Sequence, residues 1–114
     1  MSLTELLNQI ENQPQQIDFV QVMAVISEHY NYQPTTFTNG SLLNEAGNNE
    51  GSCKIFAFAQ LNKLNQLQTL ACFGAYYRDD VLKHPQGDDH GNIRQFIAQG
   101  WQGIKFEGVA LVAV

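Results

Sequence analysis

Residues Cys53 to Leu64, read as CKIFAFAQLNKL, carry apolar side chains almost all the way round a helical wheel. A helix with that pattern is buried on most of its faces, so the rest of the chain must be spent covering it. This run is therefore read as the central helix of the fold. It is preceded by a long Asn/Gly-rich stretch, Asn39 to Lys54 (NGSLLNEAGNNEGSCK), in which Ser52 is a candidate helix cap and Asn39-Gly40 a tight-turn dipeptide. A polar segment of that length inside a small domain usually has a role.

The other helices follow from local signals. Ser2 with Glu5 reads as a capping box ahead of Leu3, Leu6, Leu7 and Ile10. Pro14 ends that helix and opens the next, which carries Phe19, Val22, Met23, Ile26 and Tyr30 as one stripe. Asp18 with Gln21 repeats the capping pattern. Pro34 predicts an extended Tyr32 to Phe37. Asn65 with Gln68 caps a further helix predicted through about Arg78, with Gly74 allowing close helix approach. Ile93, Phe96, Ile97, Gly100, Trp101 and Ile104 form the last stripe. The terminal GVALVAV reads as a packed extended tail in preference to a strand, because no partner strand is evident.

These signals predict one all-α domain over residues 1–114, an irregular bundle of about five helices with long polar loops. Residues 53–64 and 66–78 are expected to form a central antiparallel hairpin, because almost no loop joins them. The hairpin brings the start of one helix beside the end of the next, and the last helix returns its start to the same pole. The 39–53 loop and the 78–94 stretch then meet at one end of the molecule.

Composition bounds the function. A net charge of -5, with six Lys and Arg scattered along the chain, lacks the basic footprint of a nucleic-acid or anionic-membrane binder. No apolar run reaches the roughly 20 residues of a membrane span. Two cysteines are too few for a disulfide framework or a zinc site, and the hairpin geometry argues against pairing Cys53 with Cys72. The N-terminus shows no secretory signal, and its first 12 residues read as folded structure, so a cytoplasmic location is expected. No cofactor and no metal are implied.

Several residues at the expected pole could carry chemistry. Cys53 in a first helical turn, near His84 or His90, would make a nucleophilic pair; the plain alternative is a small buried core residue. His84, Asp88, Asp89 and His90 could supply metal ligands for a hydrolytic site, or Asp88 or Asp89 could simply cap the last helix. Asp79 and Asp80 at a helix end oppose its dipole, so either the helix stops before them and Asp79 caps a new turn, or a cation neutralises them, with Lys54, Arg78 and Arg94 the candidates.

The runs FTNGSLLNEAGNNEGSCKIFAFAQL, QTLACFGAYYRDDVLKHP and DHGNIRQFIAQGWQGIKFEG resemble the HopJ type III effector family, from about Phe19 to Gly108. The resemblance implies a protein of the kind delivered into host cells by type III secretion. It carries no established activity, so it transfers no catalytic residues. The family's recurring polar motifs match Asn39-Gly40, Ala46-Gly47, Gly51-Ser52-Cys53, Tyr77-Arg78, Asp80 and Asp89-His90 through Arg94. The candidate ligand-binding residues are therefore Asn39, Asn48, Ser52, Cys53, Tyr77, Arg78, Asp80, Asp89, His90 and Arg94. The function expected is binding of a partner protein or small molecule at this pole, with a cytoplasmic Cys/His or Asp/His hydrolase as the alternative.

Overall fold

The Ser2 hydroxyl accepts from the Glu5 amide at 3.1 Å while the Glu5 carboxylate accepts from the Ser2 amide at 3.0 Å, closing the capping box that starts α1 (Leu3–Asn12). The computed structural model describes residues 1–114. α1 buries Leu6 and Ile10, and a 3-10 turn at Pro14–Gln16 leads to buried Ile17. Asp18 then caps α2 (Phe19–His29) by accepting from the Val20 amide, and α2 buries Val22, Val25 and Ile26.

α3 (Glu50–Leu61) is the central element. Cys53 and the unbroken run Ile55, Phe56, Ala57, Phe58 and Ala59 are all buried. Phe56 sits at the hub, with ring centroids of Phe96, Phe73, Phe37 and Trp101 at 5.0, 5.6, 5.8 and 6.3 Å. Those four rings come from four separate segments, so one side chain ties the domain together. Such aromatic pairs contribute beyond the area they bury.

The chain is not all-α. Five three-residue strands form two antiparallel sheets: β1 (Tyr30–Tyr32) with β5 (Leu111–Ala113), and β2 (Phe37–Asn39) flanked by β3 (Leu42–Asn44) and β4 (Ile104–Phe106). The register pairs Asn31 with Val112, Thr38 with Leu43, and Thr38 with Lys105. The extended reading of Tyr32 to Phe37 thus falls between two strands, and the expected C-terminal tail is instead β5. Its partner lies on the far side of α3 in sequence, which local periodicity does not reveal. Gly40 at φ +59° takes the first position of the two-residue turn between β2 and β3, where glycine accepts a backbone that L side chains resist.

The hairpin expectation is shortened in the same way. α4 (Gln66–Ala71) starts on the Asn65–Gln68 capping box, but it does not run to Arg78. Gly74 adopts φ +60°, and a Cβ there would lie 2.8 Å from the Phe19 amide nitrogen and 3.2 Å from the Ile17 carbonyl oxygen. The chain turns there against the start of α2 and continues as a π-helical turn, Tyr76–Val81. α5 (Gly91–Gln99) ends at Gly100, also at positive φ, before a 3-10 turn delivers Ile104 to β4. Ile104 therefore leaves the helical stripe assigned to it and packs from a strand. Trp101, half-buried, donates from its indole nitrogen to the Leu64 carbonyl at 3.2 Å.

Candidate functional site

Two helix starts converge on one cleft. α3 begins not at Ser52 but at Glu50, with Asn49 as its N-cap; α5 begins at Gly91, with His90 as its N-cap in place of Asp88 or Asp89. Both caps sit in the left-handed region, at φ 53° and 51°, and neither supplies a side-chain acceptor to the helix it opens. Non-glycine residues at positive φ are uncommon, although Asn and His tolerate it better than most.

A cleft of about 240 Å³ lies between these starts. Asn49, Gly51 and Ser52 line it from α3, and His90 to Ile93 line it from α5. Phe19, Phe73 and Tyr76 complete the wall. Tyr76 packs edge-on to Phe19 at 5.1 Å and lies 5.1 Å from the His90 ring. Gly51 lets the Phe19 ring pack close, since a Cβ there would come within 2.9 Å of it and the ring would have to shift.

A buried amide network fixes the two starts relative to the sheet. Asn92 donates to the Asn44 side-chain oxygen at 2.8 Å and accepts from Asn44 at 3.1 Å. Asn39 donates to both the backbone and side-chain oxygens of Asn92, at 2.9 and 3.1 Å, and Asn49 donates to the Asn44 side-chain oxygen at 2.8 Å. Asn39, Asn44 and Asn92 are all buried, and the Asn39 side-chain oxygen has no partner. Buried polar networks of this kind specify a single arrangement when satisfied.

Around the cleft, ionisable residues are engaged with one another. His90 Nε2 is 2.9 Å from an Asp80 carboxylate oxygen. Arg94 donates to the Asp89 carboxylate at 2.6 Å and to the carbonyls of Asp89 and His84 at 2.6 and 2.9 Å, clamping the loop that leads into α5. Hydrogen bonding from Arg94 holds the Asp89 carboxyl below its ordinary value. Asp79 pairs with Lys83. The side chains that meet the two acids are thus Lys83 and His90, neither of them among the three anticipated.

The expected site residues separate into six groups. Ser52 and His90 line the cleft, while Asp80, Asp89 and Arg94 buttress it from behind. Asn39 belongs to the buried network, and Asn48 lies exposed in the turn before α3, its amide donating to Glu45. Cys53 faces the core at 1% exposure, its thiol donating to the Thr35 carbonyl at 3.6 Å. Burial pushes that thiol up, against the lowering effect of the bond to Thr35, and no histidine is bonded to it. Tyr77 and Arg78 line a separate cavity facing Pro14 and Gln15. His84 and Asp88 are exposed, and no three His, Cys, Asp or Glu side chains come together as metal ligands. Both cysteines are free thiols.

The expected site left out Asn49, Tyr76 and the apolar wall of Phe19 and Phe73, and it did not select Gly51, Gly91 or Asn92 although they lie within the recurring family motifs. Gly51, in the first turn of α3, is the local signal that could have pointed to a close approach.

No curated protein matches the chain. A solved structure described as "Crystal structure of unknown function protein VPA0580" is similar throughout, with TM-score 0.98 and 51% identity, over 100% of this chain and 95% of that one. The two sheets, the π turn and the paired helix starts are therefore read in the context of a shared fold whose solved relative is itself described as of unknown function. Residues 3–111 match the family described as HopJ type III effector protein, which spans every helix and both sheets up to the first residue of β5, and the chain belongs to that family.

Proposed function

We propose that this HopJ-family chain is a small-ligand-binding domain whose ligand presents an anionic group to the cleft between the starts of α3 and α5. The observation that carries this reading is the convergence of two helix N-termini, both without side-chain caps, on one cavity. The leading amides of Glu50, Gly51 and Ser52, and of Gly91, Asn92 and Ile93, have no intrahelical acceptor. Aligned peptide dipoles place roughly half a positive charge at each start, and such termini hold phosphate or carboxylate groups.

Side chains extend the same chemistry. The Ser52 hydroxyl and the His90 imidazole add two hydrogen-bonding groups to the wall. Of the nearby carboxylates, Asp89 is paired with Arg94, which reduces its repulsion of an incoming anion, and Asp80 lies 2.9 Å from His90 Nε2. Phe19, Phe73 and Tyr76 offer the ligand body an apolar face. Cysteine chemistry finds less support, because Cys53 is buried with a raised thiol pKa and no base beside it. Under the family's description as a type III effector, the chain would reach a host cell through a type III system and act there by capture of its ligand.

The test is an amide NMR titration with inorganic phosphate and with phenyl phosphate. The expected result is saturable shifts at residues 50–52 and 91–93, tighter for phenyl phosphate and weakened in Ser52→Ala. Silence at those amides up to about 10 mM ligand would overturn the reading.

A further inference from the structure

Arg78 presents a different problem from the cleft. Of the six Lys and Arg, Lys83 pairs with Asp79, Arg94 with Asp89, and Lys54 lies 4.7 Å over the Tyr32 ring. Lys63 and Lys105 are exposed to water. Arg78 is half-buried, forms no salt bridge, and holds its Nη1 atom out of solvent with no hydrogen-bond partner. A desolvated guanidinium nitrogen without an acceptor is costly, and native structures retain such groups where something else completes them.

With Nη1 itself sealed from solvent, an outside partner meets Arg78 through the part of its side chain that lines a cavity. Arg78 lines a cavity of about 260 Å³ with Pro14, Gln15, Leu67, Ala71 and Tyr77. That wall is largely hydrocarbon and aromatic, with the Gln15 amide as a further polar group. Arg78 also sits on the π-helical turn, a feature that inserts one extra residue per turn and recurs at functional sites. The turn divides two neighbours between two sites: Tyr76 faces the α3/α5 cleft, while Tyr77 faces this cavity, and the two sites share no lining residue.

We propose that this cavity binds a small carboxylic acid, its carboxylate on the Arg78 guanidinium and a short apolar body against Leu67, Ala71 and the Tyr77 ring. The guanidinium fork matches a carboxylate in two parallel hydrogen bonds. A single cation in a chain of net charge -5 fits a monoanion better than a doubly charged phosphate. The cavity lies just below the roughly 300–1,000 Å³ of drug-sized ligand sites, so the body is short. This inference does not rest on the cleft reading, since the residues and the ligand chemistry both differ.

The experiment is an NMR titration of the full chain with 3-phenylpropanoate and, as a neutral counterpart, 3-phenylpropanol. The acid should shift the Leu67 and Ala71 methyls and the Tyr77 ring, with the alcohol at least about tenfold weaker. Arg78→Met should abolish binding, and Arg78→Lys, which keeps charge but loses the fork, should weaken it several-fold. Equal binding of acid and alcohol, shifts that persist in Arg78→Met, or no shift at these residues up to about 10 mM acid would each overturn the proposal. Inorganic phosphate that moved the same residues as strongly as the acid would also overturn it. Should Arg78→Met fail to fold, the acid–alcohol comparison and Arg78→Lys decide the matter between them.

Discussion

Asn92 and Asn44 hold each other through a reciprocal pair of side-chain amide bonds, at 2.8 and 3.1 Å, although 48 residues separate them in the chain. Asn92 lies in the first turn of α5 and Asn44 ends β3, so this pair joins the helix start to the sheet. Both residues are buried.

Asn92→Ala removes both bonds of the pair and one of the two acceptors used by Asn39. The amides left behind remain buried, which is the expensive outcome for a polar group. The expected loss is about 2–3 kcal/mol in a urea unfolding titration. The amides of residues 50–52 and 91–93 should also broaden, because Asn49 reaches the network through Asn44. A variant that unfolds at the wild-type midpoint would show that the network contributes no net stability.

Gly74→Ala combines two penalties. The backbone holds φ +60°, and the new methyl would approach the Phe19 amide nitrogen to 2.8 Å. Left-handed backbone and a backbone clash together predict a cost of about 2 kcal/mol or more. Thermal melting should reveal it, and an unchanged melt would mean that the α2 start can yield. Gly47→Ala is the useful comparison, since Gly47 has positive φ but nothing within 4 Å of its added methyl. It should cost the smaller, conformational part alone.

The thiols give a pH dependence with a definite sign. Burial pushes Cys72 from its ordinary 9.0 to about 12, and Cys53 is raised as well. Between those values the unfolded chain releases protons that the folded chain keeps, so unfolding is favoured as pH rises. Stability should therefore be flat up to pH 9.0 and fall from there towards about 12. Cys72→Ala should lower the plateau by about 1 kcal/mol through lost packing but soften the alkaline decline. Melting midpoints across the alkaline range check this, and an equally steep decline in the variant would assign it to other groups. Native protein should also resist iodoacetamide at both cysteines.

Local chemistry made part of this fold legible. The boxes at Ser2–Glu5 and Asn65–Gln68 are each complete within four residues, so the chain announces them without help from elsewhere. The apolar run of α3 was legible for the same reason. The strands were not, because three residues are too few to show an alternation, and Phe37 finds Phe106 only through the finished fold. Ser52 and the acids before His90 resemble caps by residue type, yet left-handed backbone at Asn49 and His90 starts both helices without them. Asn39, Asn44 and Asn92 stand in polar stretches that look solvated, and only long-range pairing buries them. The pole itself was inferred from helix lengths, which joined Ser52 to His90; the π turn then sent Tyr77 and Arg78 to another cavity.

The pairing of Tyr30 with Ala113, and of Phe37 with Phe106, has a consequence for synthesis. On the ribosome, β1 emerges well before β5 and β2 well before β4, although β3 follows β2 at once, and at about 5–20 residues per second the wait lasts several seconds. During that interval the chain can form helices but cannot close either sheet. Its final tertiary state arrives late and all at once, and until then it remains loosely ordered and open to capture by a chaperone.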